Sequence, residues 1–378
     1  MTPIQDATTR LGGGLAADLR KRRIVVVCGS GGVGKTTMSA ALAAGQAREG
    51  RRTVVMTVDP ARRLVSALGL PAAPGERRRV DLSASVGFDA IMLDTKRTFD
   101  ELVARHAGSP ERRDRILENG FYRRMADSLA GTHEYMAMER LYELATDREE
   151  EWETIVVDTP PTRSALSFLD APRRMLDFLG GRVFRWLLWP YRRAGRAGLR
   201  GASLGARALG ATVGRIAGAE LLADTAEFLG AFEGMYEGFK RRAQHVLHLM
   251  GEEQTGFVVV TSPERASMAE AGHFVGRLTG ADMNVVGVVV NRWPSAPAVD
   301  VDSGVAARLE AGPAEDRAAA ACLAVADRLS ALERRGAKAV AAFARDHPAV
   351  SLTTVPELPL DVHDRVGIDL IADHLAGG

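Results

Sequence analysis

Cysteine is nearly missing from this 378-residue sequence: Cys28 and Cys322 stand far apart, and there is no Cys-x-x-Cys pair. That excludes a disulfide framework and gives no thiolate zinc site. Lysine is also scarce, with Lys21, Lys35, Lys96, Lys240 and Lys338 the only lysines among 49 basic residues. Neither sign of charge is in excess, since 48 acidic residues leave a net charge of +1, so bulk charge gives no case for a nucleic-acid partner. No uncharged apolar run is long enough for a spanning helix, and residues 1–23 lack the apolar core of a secretion signal. The expected location is the cytoplasm.

What is present is the composition of an ordinary globular protein, 46% hydrophobic and 26% charged, with enough chain for one large α/β domain or two smaller ones. Ile24-Val25-Val26-Val27-Cys28 and Thr53 to Val58 are continuous β-branched runs of the kind buried in parallel sheets. Further strands are predicted over 88–93, 154–157, 257–260, 285–290 and 350–355. Helices are predicted over 35–49, 97–147 with breaks, 264–278, 317–345 and 361–375. This alternation implies a doubly wound, mostly parallel sheet covered on both faces. Residues 1–22 read as a loose tail, and 293–320, rich in Pro, Ala and Gly, as a long loop. No strand pattern occurs between Leu166 and Met250, which predicts a helical insertion.

Between the first strand and the first long helix lies Gly29-Ser30-Gly31-Gly32-Val33-Gly34-Lys35-Thr36, a G-x-x-x-x-G-K-T phosphate-binding loop. Its glycines let successive backbone N–H groups turn inward, and the helix that follows adds its N-terminal dipole. In this reading Lys35 meets the β- and γ-phosphates of a nucleotide, the Thr36 hydroxyl binds Mg²⁺, and Thr37 contacts the α-phosphate. Asp59 and Asp158 each end a buried strand, where a carboxylate suits water activation or a metal-bound water. Aspartate also favours strand-end turns and helix caps, so the neighbouring loop carries these two assignments.

Four collinear segments resemble the ArsA family of arsenite-pump ATPases, which also includes the eukaryotic ATPase that delivers tail-anchored membrane proteins. They are Gly29 to Thr37, Asp59-Pro60-Ala61, Asp158-Thr159-Pro160-Pro161-Thr162 and Val289-Val290-Asn291. The resemblance implies a P-loop NTPase of the dimeric SIMIBI-type class: an ATPase domain over 23–165 and 251–378, with an inserted helical subdomain over 166–250. It implies Mg²⁺ and ATP, with Asp59 activating water, Asp158 holding Mg²⁺ through water and Asn291 reading adenine. Pro356 and Glu357 would pack beside the base. Thr261-Ser262-Pro263-Glu264 is similar to a family segment but acquires no role.

The departures are as informative. The family places a second lysine, which reaches the partner's nucleotide, where this chain has Ser30. Its second switch continues Gly-His-Thr, whereas here Arg163-Ser164-Ala165 follows. The cysteines of arsenite-activated members and the zinc pair of tail-anchor carriers are missing, so an arsenite pump is not expected, nor is zinc. Residues 178–219 contain no Asp or Glu but eight Arg, nine Gly and the apolar cluster Phe184, Trp186, Leu187, Leu188 and Trp189. That cluster could pack on neighbouring helices, form a groove for an apolar client, or touch a membrane surface. The leading expectation is an ATP-driven switch whose dimer closure moves this subdomain. A peripheral membrane or assembly adaptor is the alternative, as is a weakly hydrolysing subunit of a heterodimer with a related chain.

Overall fold

The computed structural model describes residues 14–58, 64, 67–69, 75–120, 122, 132–147, 151–160, 238, 240–294, 303–359, 361–362 and 364–377. Eight strands form one sheet: β1 (Ile24–Gly29), β2 (Thr53–Thr57), β3 (Arg77–Asp81), β4 (Gly87–Met92), β5 (Thr154–Asp158), β6 (Thr255–Thr261), β7 (Val285–Trp293) and β8 (Leu352–Pro356). The order is β3-β4-β2-β5-β1-β6-β7-β8, and every pairing is parallel except β3 with β4. All residues of β1, β2, β5 and β6 are buried, as their uninterrupted apolar runs require in a sheet covered on both sides.

One face packs against α2 (Lys35–Arg48) and α9 (Arg365–Gly377), and the other against α5 (Thr132–Thr146), α6 (Arg265–Thr279) and the end of α8 (Ala314–Asp346). Alanines 40, 41, 43, 44 and 47 of α2 are buried, which lets this helix lie close to the strands while Arg48 forms ion pairs with Asp369 and Asp373 of α9. Two shorter helices, α3 (Thr95–His106) and α4 (Pro110–Glu118), follow β4; Asp94 and Ser109 cap them by accepting from Arg97 N and Arg112 N. The strands before and after the predicted insertion share one sheet, with β5 and β6 flanking β1.

The fold corrects three expectations. The segment expected as a loose tail includes a helix, α1 (Gly14–Arg20), whose Leu15 and Leu19 are 2% and 3% exposed. Gly287 of β7 makes room for it: a side chain there would stand 3.2 Å from Leu15 Cδ1. The Arg-rich strand β3 was not predicted, because a half-exposed antiparallel edge carries no apolar alternation. The expected loop over 293–320 holds α7 (Ser303–Glu310) and the beginning of α8.

Candidate phosphate-binding site

The site lies where β1 ends between β5 and β6, outside the carboxyl ends of parallel strands, where doubly wound sheets open a crevice. Two glycines fix the loop's shape. Gly29 has φ +143°, and a Cβ there would be 2.1 Å from the Val260 carbonyl oxygen. Gly34 has φ +93° at the N-cap of α2, and a Cβ there would be 2.4 Å from Asn291 Nδ2. Around Gly32 nothing lies within 4 Å of a Cβ position, so its φ of +79°, not lack of space, is what favours glycine there. No side chain caps the first turn of α2, and no acidic residue occupies it. Its N-terminal N–H groups therefore face the crevice without a capping side chain.

Asp158 is fully buried at the end of β5. Strand register sets it beside Thr57 of β2 and Val27 of β1. Its Oδ2 accepts from Thr36 Oγ1 at 2.9 Å and from Thr57 Oγ1 at 2.8 Å, while Oδ1 accepts from Ser39 Oγ at 3.4 Å. Three hydroxyls thus offset the cost of burying this carboxylate. Next along the chain, Thr159 Oγ1 donates to the Val27 carbonyl at 2.8 Å, tying the end of β5 to β1. Lys35, 5% exposed, donates from Nζ to the Ser30 carbonyl at 2.8 Å, and so lies folded back along the loop. Cys28, buried just before the loop, has its thiol pushed up to about 12 by burial, against the lowering effect of the Lys35 charge. It stays a protonated thiol and is no nucleophile.

The loop is fastened from two distant elements. Asn291 at the end of β7 is 8% exposed, and its Nδ2 donates to the Val33 carbonyl at 2.8 Å. Glu270 of α6 accepts from Ser30 Oγ. Asn291 is therefore directed at the loop, and Glu357, exposed beyond β8, lines a groove with Arg292. Pro356 pairs with Trp293 at the same sheet margin. The structure thus gathers Lys35, Thr36, Asp158 and Asn291 around one loop, while Glu357 N donates to the Trp293 carbonyl at 2.9 Å, two residues along β7 from Asn291.

Asp59, Pro60, Ala61, Arg163 and the cluster from Phe184 to Trp189 lie outside the described residues. Val58 N donates to the Asp158 carbonyl at 3.1 Å, so the chain runs toward Asp59 from beside the site. Sequence reading overlooked Thr57, Ser39 and Glu270. A hydroxyl closing an apolar strand marks Thr57, and spacing of four from Lys35 marks Ser39; no local signal marks Glu270. Among the described residues no group of three His, Cys, Asp or Glu is placed to hold a metal ion, and no helix is long and apolar enough to cross a membrane.

A glycine-lined loop between a central parallel strand and a helix, with a buried strand-end aspartate holding the loop's threonine, defines an α/β P-loop NTPase. Residues 22–186 match the profile of the anion-transporting ATPase family, ArsA_ATPase. Similar proteins include the putative arsenical pump-driving ATPase 1 of Aquifex aeolicus, 26% identical over 71% of this chain and 63% of its own length. Another is the ATPase GET3 of Podospora anserina, 26% identical over 73% of this chain and 74% of its own. Protein Rv2184c of Mycobacterium tuberculosis is 35% identical over 40% of this chain and 37% of its own length. Over residues 22–186 the chain matches the ArsA-type ATPase family. It spans less than two thirds of the Aquifex and Mycobacterium relatives.

Proposed function

We propose that this chain is a Mg²⁺-dependent ATP-binding and ATP-hydrolysing switch. The single observation that carries this reading is the Thr36–Asp158–Thr57 cluster beside Lys35, buried at the mouth of a glycine loop. The residues fit a metal-bound polyphosphate. Thr36 already gives its hydroxyl proton to Asp158, which leaves its oxygen lone pairs for a hard cation. Gly29, Gly31, Gly32 and Gly34 would leave the loop's N–H groups clear for phosphate oxygens, together with the N–H groups of Lys35, Thr36 and Thr37. Mg²⁺, when bound, supplies charge that neutralises the β- and γ-phosphates.

The chain's own groups do the rest. Lys35 exchanges the Ser30 carbonyl for phosphate oxygens and brings positive charge to the developing transition state. Asp158 orients the Thr36 hydroxyl and would hold a metal-bound water. Asp59, just beyond the strand end that abuts Asp158, would orient or deprotonate the attacking water. Asn291 has one amide hydrogen committed to Val33; its remaining hydrogen and its carbonyl would read the adenine edge, with Pro356 flanking the base and Glu357 at the rim. Residues 23–165 and 251–378 act as the ATPase domain, supported by β5 and β6 flanking β1, and 166–250 as the inserted subdomain moved by dimer closure. Its occupant would be an apolar client or partner, with Phe184, Trp186, Leu187, Leu188 and Trp189 as its surface.

Ser30 favours a second reading of the partner. Its hydroxyl is held in cis by Glu270, so this position offers no charge to another chain's nucleotide. A homodimer would then hydrolyse slowly, and a related chain carrying a lysine there would accelerate it.

The test is ATP hydrolysis by wild type and Lys35→Ala at matched folding. The reading expects at least a 100-fold loss, since one charge on a transferring phosphoryl group is worth on the order of 3 kcal/mol. Wild-type turnover in that variant would remove the assignment.

A further inference from the structure

Strand β2 reads Thr53-Val54-Val55-Met56-Thr57, lies between β4 and β5, and is buried throughout. Valine would suit its last position as well as it suits the second and third. It has threonine's shape and strand preference and brings no polar group into the interior. Thr57 is 0% exposed, so its hydroxyl costs free energy unless a partner takes the proton. That partner is Asp158, its register neighbour on β5, whose Oδ2 accepts from Thr57 Oγ1 at 2.8 Å.

The backbone fixes this hydroxyl from both sides. The Thr57 carbonyl accepts from Leu93 N at 3.0 Å, and Val58, the next residue, donates its N–H to the Asp158 carbonyl at 3.1 Å. Thr36 approaches the same carboxylate oxygen from the first turn of α2, at 2.9 Å. Two donors from two different elements, meeting on one oxygen, set the rotation of the carboxylate about its Cβ–Cγ bond, a torsion that is broad when nothing restrains it. Ser39 does less. Its one proton is shared between the Lys35 carbonyl at 2.9 Å and Asp158 Oδ1 at 3.4 Å. Of these three hydroxyls, Thr57 alone belongs to the sheet.

We propose that Thr57 is a positioning residue for ATP hydrolysis: its hydroxyl holds Asp158 in the rotation that turns the carboxylate and the Thr36 oxygen toward one Mg²⁺. This rests on the nucleotide reading of the loop and adds to it a residue that acts through Asp158 rather than on the phosphates. Without the Thr57 hydroxyl, Oδ2 keeps the Thr36 donor, but the carboxylate can turn. Metal affinity should suffer, because groups that orient a metal's ligands commonly carry roughly 10–100-fold of it. Nucleotide binding without metal should not, since the loop's N–H groups and Lys35 reach the phosphates independently of this carboxylate.

The test uses the full chain with Thr57→Val, Thr57→Ala and Thr57→Ser. The first two lack the hydroxyl, one with a methyl in its place and one without, and the third keeps it. Mn²⁺ stands in for Mg²⁺, and its binding in the presence of ADP is read by electron paramagnetic resonance. Thr57→Val and Thr57→Ala should each bind Mn²⁺ at least about tenfold more weakly than wild type, and lose kcat by at least about tenfold at saturating ATP and metal. Thr57→Ser should stay within about threefold of wild type in both. A fluorescent ATP analogue in EDTA should bind wild type and all three variants equally. Wild-type Mn²⁺ affinity in the two hydroxyl-free variants overturns the proposal. An equal loss in Thr57→Ser also overturns it, by assigning the effect to the side chain's shape. So does an EDTA affinity that falls in step with Mn²⁺ affinity, which would make Thr57 a support of the whole loop. If wild type itself binds neither the analogue nor Mn²⁺, the nucleotide reading is what fails, and the role of Thr57 falls with it.

Discussion

Two regions at the same edge of one sheet are prepared in opposite ways. Where β1, β2 and β5 end, the buried polar groups already have partners: Asp158 takes hydroxyl donors, Lys35 donates to Ser30, and Asn291 donates to Val33. Where β7 and β8 end, the groove beside α8 leaves Leu332 half exposed and sets Arg265, Arg292, Arg335 and Lys338 around it without a described ion pair, although Glu264, Asp346 and Glu357 line it too. A small ligand arriving at the first region meets groups already fixed in place and exchanges only the Lys35–Ser30 contact, so affinity there depends on preorganisation. The second region loses nothing internal when it is covered.

If the loop is as preorganised as that contrast says, the largest effect belongs to Gly29→Ala. Its Cβ would meet the Val260 carbonyl at 2.1 Å in a backbone conformation that L-residues avoid. Denaturant unfolding should show a loss of about 4 kcal/mol or more, and a variant within 1 kcal/mol of wild type would mean the loop is pliable. Asp158→Ala comes next, because it strands the hydroxyls of Thr36 and Thr57, the latter buried. It should cost about 3 kcal/mol and abolish turnover, while Asp158→Asn, which keeps an acceptor, should cost less stability. Equal losses in the two variants would show that the charge, and not the hydroxyl contacts, holds the cluster.

Asn291→Ala should remove about 1 kcal/mol of stability and lower ATP affinity several-fold, as the Val33 carbonyl loses its donor. Unchanged affinity in calorimetric titration would detach Asn291 from the site. Glu270→Ala tests an exposed fastening and should change stability by less than about 0.5 kcal/mol, separating it from the buried one. The smallest effect is on pH. Burial, with Arg242 and Arg105 nearby, holds His106 below the ordinary imidazole value of 6.5. The unfolded chain therefore binds this proton more readily, and stability should fall as pH drops from about 6.5 toward the lower folded value. His106→Gln should flatten that slope, and an unaltered slope would assign it to other groups.

The contrast also explains what the sequence disclosed. Buried parallel strands announce themselves because both faces demand apolar residues, so β1, β2, β5, β6 and β7 were legible, and the loop was legible because glycines and a lysine at fixed spacing have few other uses. Asp158 was legible from its place at a strand end. Thr57 and Ser39 carry only weak marks, a hydroxyl closing an apolar strand and a spacing of four from Lys35, because register and helix pitch are what bring them to one carboxylate. Glu270 is 240 residues from Ser30, and no local pattern reports such a meeting. The edge strand β3 and helix α1 escaped for a related reason: arginines hid the strand, and only Leu15 and Leu19 reveal that the N-terminal helix is anchored.

The central claim is that this loop holds a metal-bound nucleotide through Lys35 and Thr36. Equilibrium binding of a fluorescent ATP analogue, titrated with excess Mg²⁺ and again with EDTA, tests it on the folded wild-type chain and on Lys35→Ala. The account predicts saturable binding by wild type that weakens at least tenfold in EDTA, and no measurable binding by the variant at the same concentrations. Binding of equal strength in all four titrations would contradict it.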